Sequence, residues 1–191
     1  LPTDTTGTVT AASGRRIISI DSRPAGEVYG EWSQGAIDDA MPEGGPILAE
    51  STMWPLGRKV DEAGENYVLA HPATLYPDGS MDLFADVEVG DALTLMQGSP
   101  TSLVARAGRV ATSALSSGGV TADVIAGALV VYCAGCMLAI QETMDDVAQE
   151  MATALANAPI LGTFTFGEQG CFIGGDNYHG NLMISVVAFE S

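Results

Sequence analysis

Apolar and polar positions alternate over residues 8–12 and 15–20, and Ser13-Gly14 between them has tight-turn chemistry, which predicts an opening β-hairpin. Pro24 then stands where a first helical turn begins, and Ala25, Val28, Tyr29 and Trp32 follow at helical spacing. Residues 34–45 are polar and rich in Gly, Pro and Asp, the composition of a surface connection and of a subdomain boundary. Short strands are predicted at 67–71, 81–84 and 92–96, separated by Pro72, Pro77-Asp78-Gly79 and Gly90-Asp91, as an antiparallel meander. Leu103, Ala107, Val110, Ala111 and Leu115 mark one face of a helix that stops at Gly118-Gly119.

The unbroken apolar run at 127–133 reads as a strand covered on both faces. Met137, Ile140, Met144, Val147, Met151 and Leu155 then recur every three or four residues, as on the core-facing stripe of one helix. Strands at 160–166 and 182–189 close the chain around a Gly-rich loop. Strands and helices mix without regular βαβ alternation, so the expected fold class is α+β, with layered mixed or antiparallel sheets and packed helices.

Composition narrows the function. The chain has 191 residues, 47% of them apolar, enough to build a core without metal or disulfide staples. Its longest apolar stretch, 124–132, is interrupted by Gly127 and too short to cross a bilayer as a helix. No basic segment followed by an apolar core opens the chain, so no secretory leader is expected. Against 24 acidic residues stand 7 basic ones, for a net charge of −17, and Lys59 is the single lysine. Such a surface repels phosphate backbones, which excludes nucleic acid and membrane insertion from the expected partners. Three cysteines do not make a secreted disulfide framework, and a reducing cytoplasm is the expected compartment.

The closing loop reads Phe166-Gly167-Glu168-Gln169-Gly170, then Asn177-Tyr178-His179-Gly180-Asn181 leading into an apolar strand. With Trp54-Pro55-Leu56-Gly57 and Cys133-Ala134-Gly135, this resembles the FIST C-terminal domain, whose last strands enclose a Gly-Glu-Ile-Gly motif and an Asn-His segment. The likeness runs from about residue 46 to residue 189. Residues 1–33 resemble the end of a FIST N-terminal domain, giving an expected division into 1–33 and 34–191. The resemblance implies a cytoplasmic sensory module that binds a small polar ligand, with an amino acid as one proposed class, and reports to a signalling output protein or domain. It brings no catalytic residues and no cofactor. Cys136 stands where the family usually has Arg, Gln169 where it has Ile, and Cys171 where it has Pro.

The residues themselves offer a converging polar set. Cys133 lies between a strand and a helix, where free backbone N–H groups suit an anion or a thiolate. Glu168, Gln169 and Gly170 leave a strand in a Gly-rich turn, and Asn177, His179 and Asn181 supply donors and acceptors on the return. Alternatively, these groups only satisfy the backbone of a tight loop. Trp54 is an expected outer wall, and Arg58 a partner for a ligand carboxylate or for a surface carboxylate. Two other functions use the same residues. Cys133, His179 and Glu168 contain the nucleophile, base and orienting acid of a cysteine hydrolase. Cys133, Cys136, Cys171 and His179 have the ligand count of a structural zinc site in a protein-interaction domain, while Cys133 and Cys136 alone have redox-pair spacing.

Overall fold

The computed structural model describes residues 1–60, 66–171 and 177–191, with the Cys171 side chain outside the description. The chain forms two compact units, Leu1–Gly98 and Ser99–Ser191. The fold class is α+β, with fourteen strands and five α-helices among the described residues. The polar connection at 34–45 lies inside the first unit, where Ile37 is buried in the core.

The first unit is one antiparallel sheet with two short helices. In chain order its elements are β1 (Pro2–Ser13), β2 (Arg16–Ile20), β3 (Arg23–Pro24), α1 (Ala25–Trp32), β4 (Gly45–Pro46), α2 (Leu48–Ser51), β5 (Leu56–Lys59), β6 (Tyr67–Ala70), β7 (Pro72–Leu75), β8 (Met81–Leu83) and β9 (Ala92–Met96). The strands lie in the order β4-β7-β8-β2-β1-β9-β5-β6, with β3 on β2. Gly14 turns the predicted hairpin with φ +60°, a conformation that costs glycine nothing. Instead of a sequential meander, β9 crosses back to pair with both β1 and β5. The core gathers Ile17, Ile20, Tyr29, Ile37, Ile47, Leu56, Leu75, Met81 and Leu93, all essentially solvent-free. Burying one such side chain contributes about 1.5–3 kcal/mol.

The second unit begins with α3 (Pro100–Gly118), started by a Ser99 cap that accepts the Ser102 N–H and stopped by Gly119 at φ +66°. It continues through β10 (Ile125–Cys133), α4 (Ala134–Ala139), α5 (Met144–Ala154), β11 (Ile160–Thr165), β12 (Glu168–Cys171), β13 (Asn177–Gly180) and β14 (Ile184–Glu190). Central β10 pairs parallel with β11 and antiparallel with β14, while β12 and β13 form a separate hairpin.

Two expectations change here. β10 alternates in burial, with Ala128, Val130 and Tyr132 buried and Leu129 45% exposed. It is therefore covered on one face, and its apolar run reflects β-propensity on both. The methionine stripe is also not one helix. Ile140 leaves helical geometry (φ −131°, ψ 27°), and a 3-10 turn, Gln141–Thr143, separates α4 from α5. Ile140, Val147, Met151 and Leu155 stay buried across the break, which is why the spacing looked continuous. Among the described residues, no helix is long and apolar enough to cross a membrane.

Candidate functional site

Cys133 is the hinge between β10 and α4. Its backbone is extended (φ −62°, ψ 123°), and its Sγ accepts the Cys136 N–H at 3.5 Å. A sulfur thus takes the place usually held by a Ser or Asp oxygen at a helix start. Cys133 is 6% exposed and Cys136 2%. The Cys136 thiol also hydrogen-bonds to the Cys133 sulfur, and with the Cys136 and Gly135 amides it pulls the Cys133 thiol below its usual range despite burial. The same bond, reinforced by burial, pushes Cys136 up. The two thiols of the pair are therefore shifted in opposite directions by their shared contact.

Glu168 starts β12 with its side chain 1% exposed. Burial pushes its carboxyl up, opposed by hydrogen bonds from the Thr165 hydroxyl at 2.9 Å and the Met183 N–H at 3.4 Å. His179 and Arg106 attract the carboxylate as well, and its charge in turn opposes ionisation of Cys133. Arg106, on α3, donates from Nη1 to the Leu182 carbonyl at 2.7 Å. Leu182 itself has φ +55°, uncommon for a residue with a Cβ.

Tyr132 completes the cluster. Its ring stacks edge-on with Phe164, and burial raises its hydroxyl to about 12, with the two cysteines adding to the shift and Arg106 opposing it. That hydroxyl is buried without a hydrogen-bond partner among the described residues. A buried O–H left unpaired costs about 1–3 kcal/mol, so it marks a place where an acceptor is wanted.

Residues 25–171 match the family model of the FIST C domain. The chain belongs to the FIST C family. No curated protein and no solved structure matches it. FIST domains are a sensory and signal-transduction family, which agrees with a reading that assigns no catalysis.

Within this FIST C domain the predicted residues separate into groups. Cys133 and Glu168 belong to the buried cluster. Gln169, Gly170, Asn177 and His179 are on the β12–β13 hairpin, where Gln169 pairs with His179 and Glu168 with Gly180. Side chains alternate along a strand, so Gln169, Asn177 and His179 occupy the face opposite Glu168, and all three are exposed. The Cys133, His179 and Glu168 set thus has its base on the other side of the hairpin from its acid. Asn181 is buried just beyond β13.

Trp54 and Arg58 lie in the first unit. Trp54 packs against the apolar core, and its carbonyl accepts the Tyr29 hydroxyl at 2.8 Å. Arg58 pairs with Asp91 at 3.0 Å. Among the described residues, no group of three or more His, Cys, Asp or Glu could hold a metal ion, and the Cys171 side chain needed for the zinc set falls outside them. Two open depressions lie elsewhere, about 500 Å³ along Glu27, Glu31 and Asp38 and about 570 Å³ along Gly108, Arg109 and Glu150. Neither is lined by the cluster residues.

Arg106, Tyr132 and Thr165 were missed in the sequence. Arg106 carries a weak signal, as one of 7 cations in a strongly acidic chain.

Proposed function

We propose that this chain is the ligand-binding part of a cytoplasmic signal-transduction protein, and that its pocket is built around Cys133, Tyr132, Glu168 and Arg106. The unpaired, buried Tyr132 hydroxyl carries this reading, together with the Arg106 guanidinium, which acts electrostatically on both Tyr132 and the buried Glu168 carboxyl. A small zwitterion suits that set. An α-amino acid would offer its carboxylate to Arg106 and Tyr132 and its ammonium to Glu168. Arg106 is assigned the role first expected of Arg58, whose Nη1 donates to Asp91 while its Nε is buried without a partner among the described residues.

Gln169, Gly170, Asn177, His179 and Asn181 then form the hairpin rim through which occupancy reaches an output protein or domain, and Trp54 stays with the core of its own unit. Residues 1–33 are proposed to be the end of a FIST N-terminal-like part, joined to the remainder of the first unit through the pairing of β1 with β9.

Thermal-shift measurements over a panel of amino acids, with native mass spectrometry of the purified protein, test the proposal. A ligand should raise the melting temperature in proportion to the logarithm of its concentration. Tyr132→Phe should leave the unliganded protein as stable or about 1 kcal/mol more stable, yet lower the ligand response at least tenfold in concentration. If Tyr132→Phe and Arg106→Leu respond like the parent, the pocket is elsewhere.

A further inference from the structure

Cys133 caps α4 and Cys136 lies in its first turn, with the Cys136 N–H donating to the Cys133 sulfur at 3.5 Å. Three residues along a helix advance about 4.5 Å and return to nearly the same side, a Cα separation of about 5 Å. A disulfide spans about 4.4–6.8 Å between Cα atoms, so the two sulfurs can join without moving the chain far. Both are free thiols. Gly135, between them, has no side chain to crowd them, and a Cβ there would lie 3.6 Å from the Cys133 sulfur.

We infer that Cys133 and Cys136 are a reversible dithiol–disulfide pair, oxidised by a small hydroperoxide such as hydrogen peroxide. The burial of both residues selects the oxidant, since a peroxide is little larger than water whereas a disulfide reagent is bulky. The Cys136 N–H bonded to its sulfur, at the start of α4, favours Cys133 as the attacking thiolate and leaves Cys136 as the resolving thiol. The Cys133 sulfur attacks one peroxide oxygen, the O–O bond breaks, and hydroxide leaves with the proton that Cys133 had lost, as water. Cys133 is now a sulfenic acid. The Cys136 sulfur then attacks the Cys133 sulfur, the S–O bond breaks, and the departing hydroxide takes the Cys136 proton as a second water. Two thiols and one hydrogen peroxide thus become one disulfide and two waters, and a thiol reductant reverses the change by exchange. Oxidation ties up the sulfur that caps α4. The inference stands whether or not the neighbouring pocket binds a metabolite.

Peptide mapping of the whole chain tests it, after reduction, treatment with hydrogen peroxide and quenching with iodoacetamide. The expected product is lighter than the reduced protein by two hydrogen atoms before alkylation, carries one alkylated cysteine of the three, and has Cys133 linked to Cys136. Dithiothreitol should restore all three. Cys136→Ser should stop at a Cys133 sulfenic acid that dimedone labels, whereas Cys171→Ser should leave the linkage intact. Three alkylated cysteines after peroxide, a linkage through Cys171, or Cys133 sulfinic acid beside a reduced Cys136 would each overturn the inference. Because the parent protein alone decides among these products, the test survives a variant that fails to fold.

Discussion

The two units bury different things. Leu1–Gly98 encloses a large aliphatic core, and its buried polar residues are neutral ones, Ser33, Ser51, Thr52, Ser80 and Thr94 with His71. Ser99–Ser191 has an apolar cluster around Ala111, Leu115, Ala128 and Leu155, but it also buries the Glu168 carboxyl and two thiols. It leaves Leu129, Leu161, Phe166 and Val187 exposed on or beside its small sheet. Apolar burial stabilises with little chemical consequence, whereas a buried ionisable group costs stability and gains reactivity. The contrast separates a unit built around apolar packing from one that also buries ionisable groups.

Truncation tests that contrast most strongly. Leu56→Ala, in the solvent-free core of the first unit, should cost about 3–4 kcal/mol in urea unfolding, while Leu161→Ser on the exposed edge strand should stay within about 0.5 kcal/mol. Equal losses would erase the distinction.

Acid sharpens it next. Burial lowers His71 from 6.5 to about 4, against a hydrogen bond with the Leu48 backbone. Between those values the unfolded chain binds a proton that the folded chain refuses. The first unit should therefore lose about 3 kcal/mol as pH falls from 6.5 to 4, and none from this residue above 6.5. His71→Phe should flatten that part of the stability profile.

The smallest effect has the opposite sign. The raised Glu168 carboxyl favours the folded state below its unfolded value of 4.5, and that stability is lost as pH rises through the folded value. Glu168→Gln, which keeps the shape and removes the charge, should stabilise the second unit by about 1 kcal/mol at neutral pH and do nothing at pH 3. A site-specific probe such as hydrogen exchange would read the two units separately.

Much of the fold was legible in the sequence wherever one residue type has one use. Ser13-Gly14 and Gly118-Gly119 each mark a boundary by local chemistry, and the structure ends elements at both. β5 and β7 were not legible, because four residues are too few for alternation to register and β7 opens on a proline. Nor does local pattern specify that β9 returns to β1. In the buried cluster, Cys133 and Glu168 stood out because they sit at the ends of elements. Gln169, Asn177 and His179 could not be assigned a face, because the segment read as a loop, and only a paired hairpin makes neighbours point apart. Tyr132 looked like core, and it is core except for one oxygen.

The pairing of β1 with β9 also sets an order of events during synthesis. Thr8 bonds across to Ala92, so the long first strand is finished well before its second neighbour exists. At about 5–20 residues per second, the interval is roughly 5–15 s. Until then the edge of β1 that β9 covers in the folded chain lacks that partner. A ribosome pause placed just before β9 should therefore raise aggregation more than one placed after it.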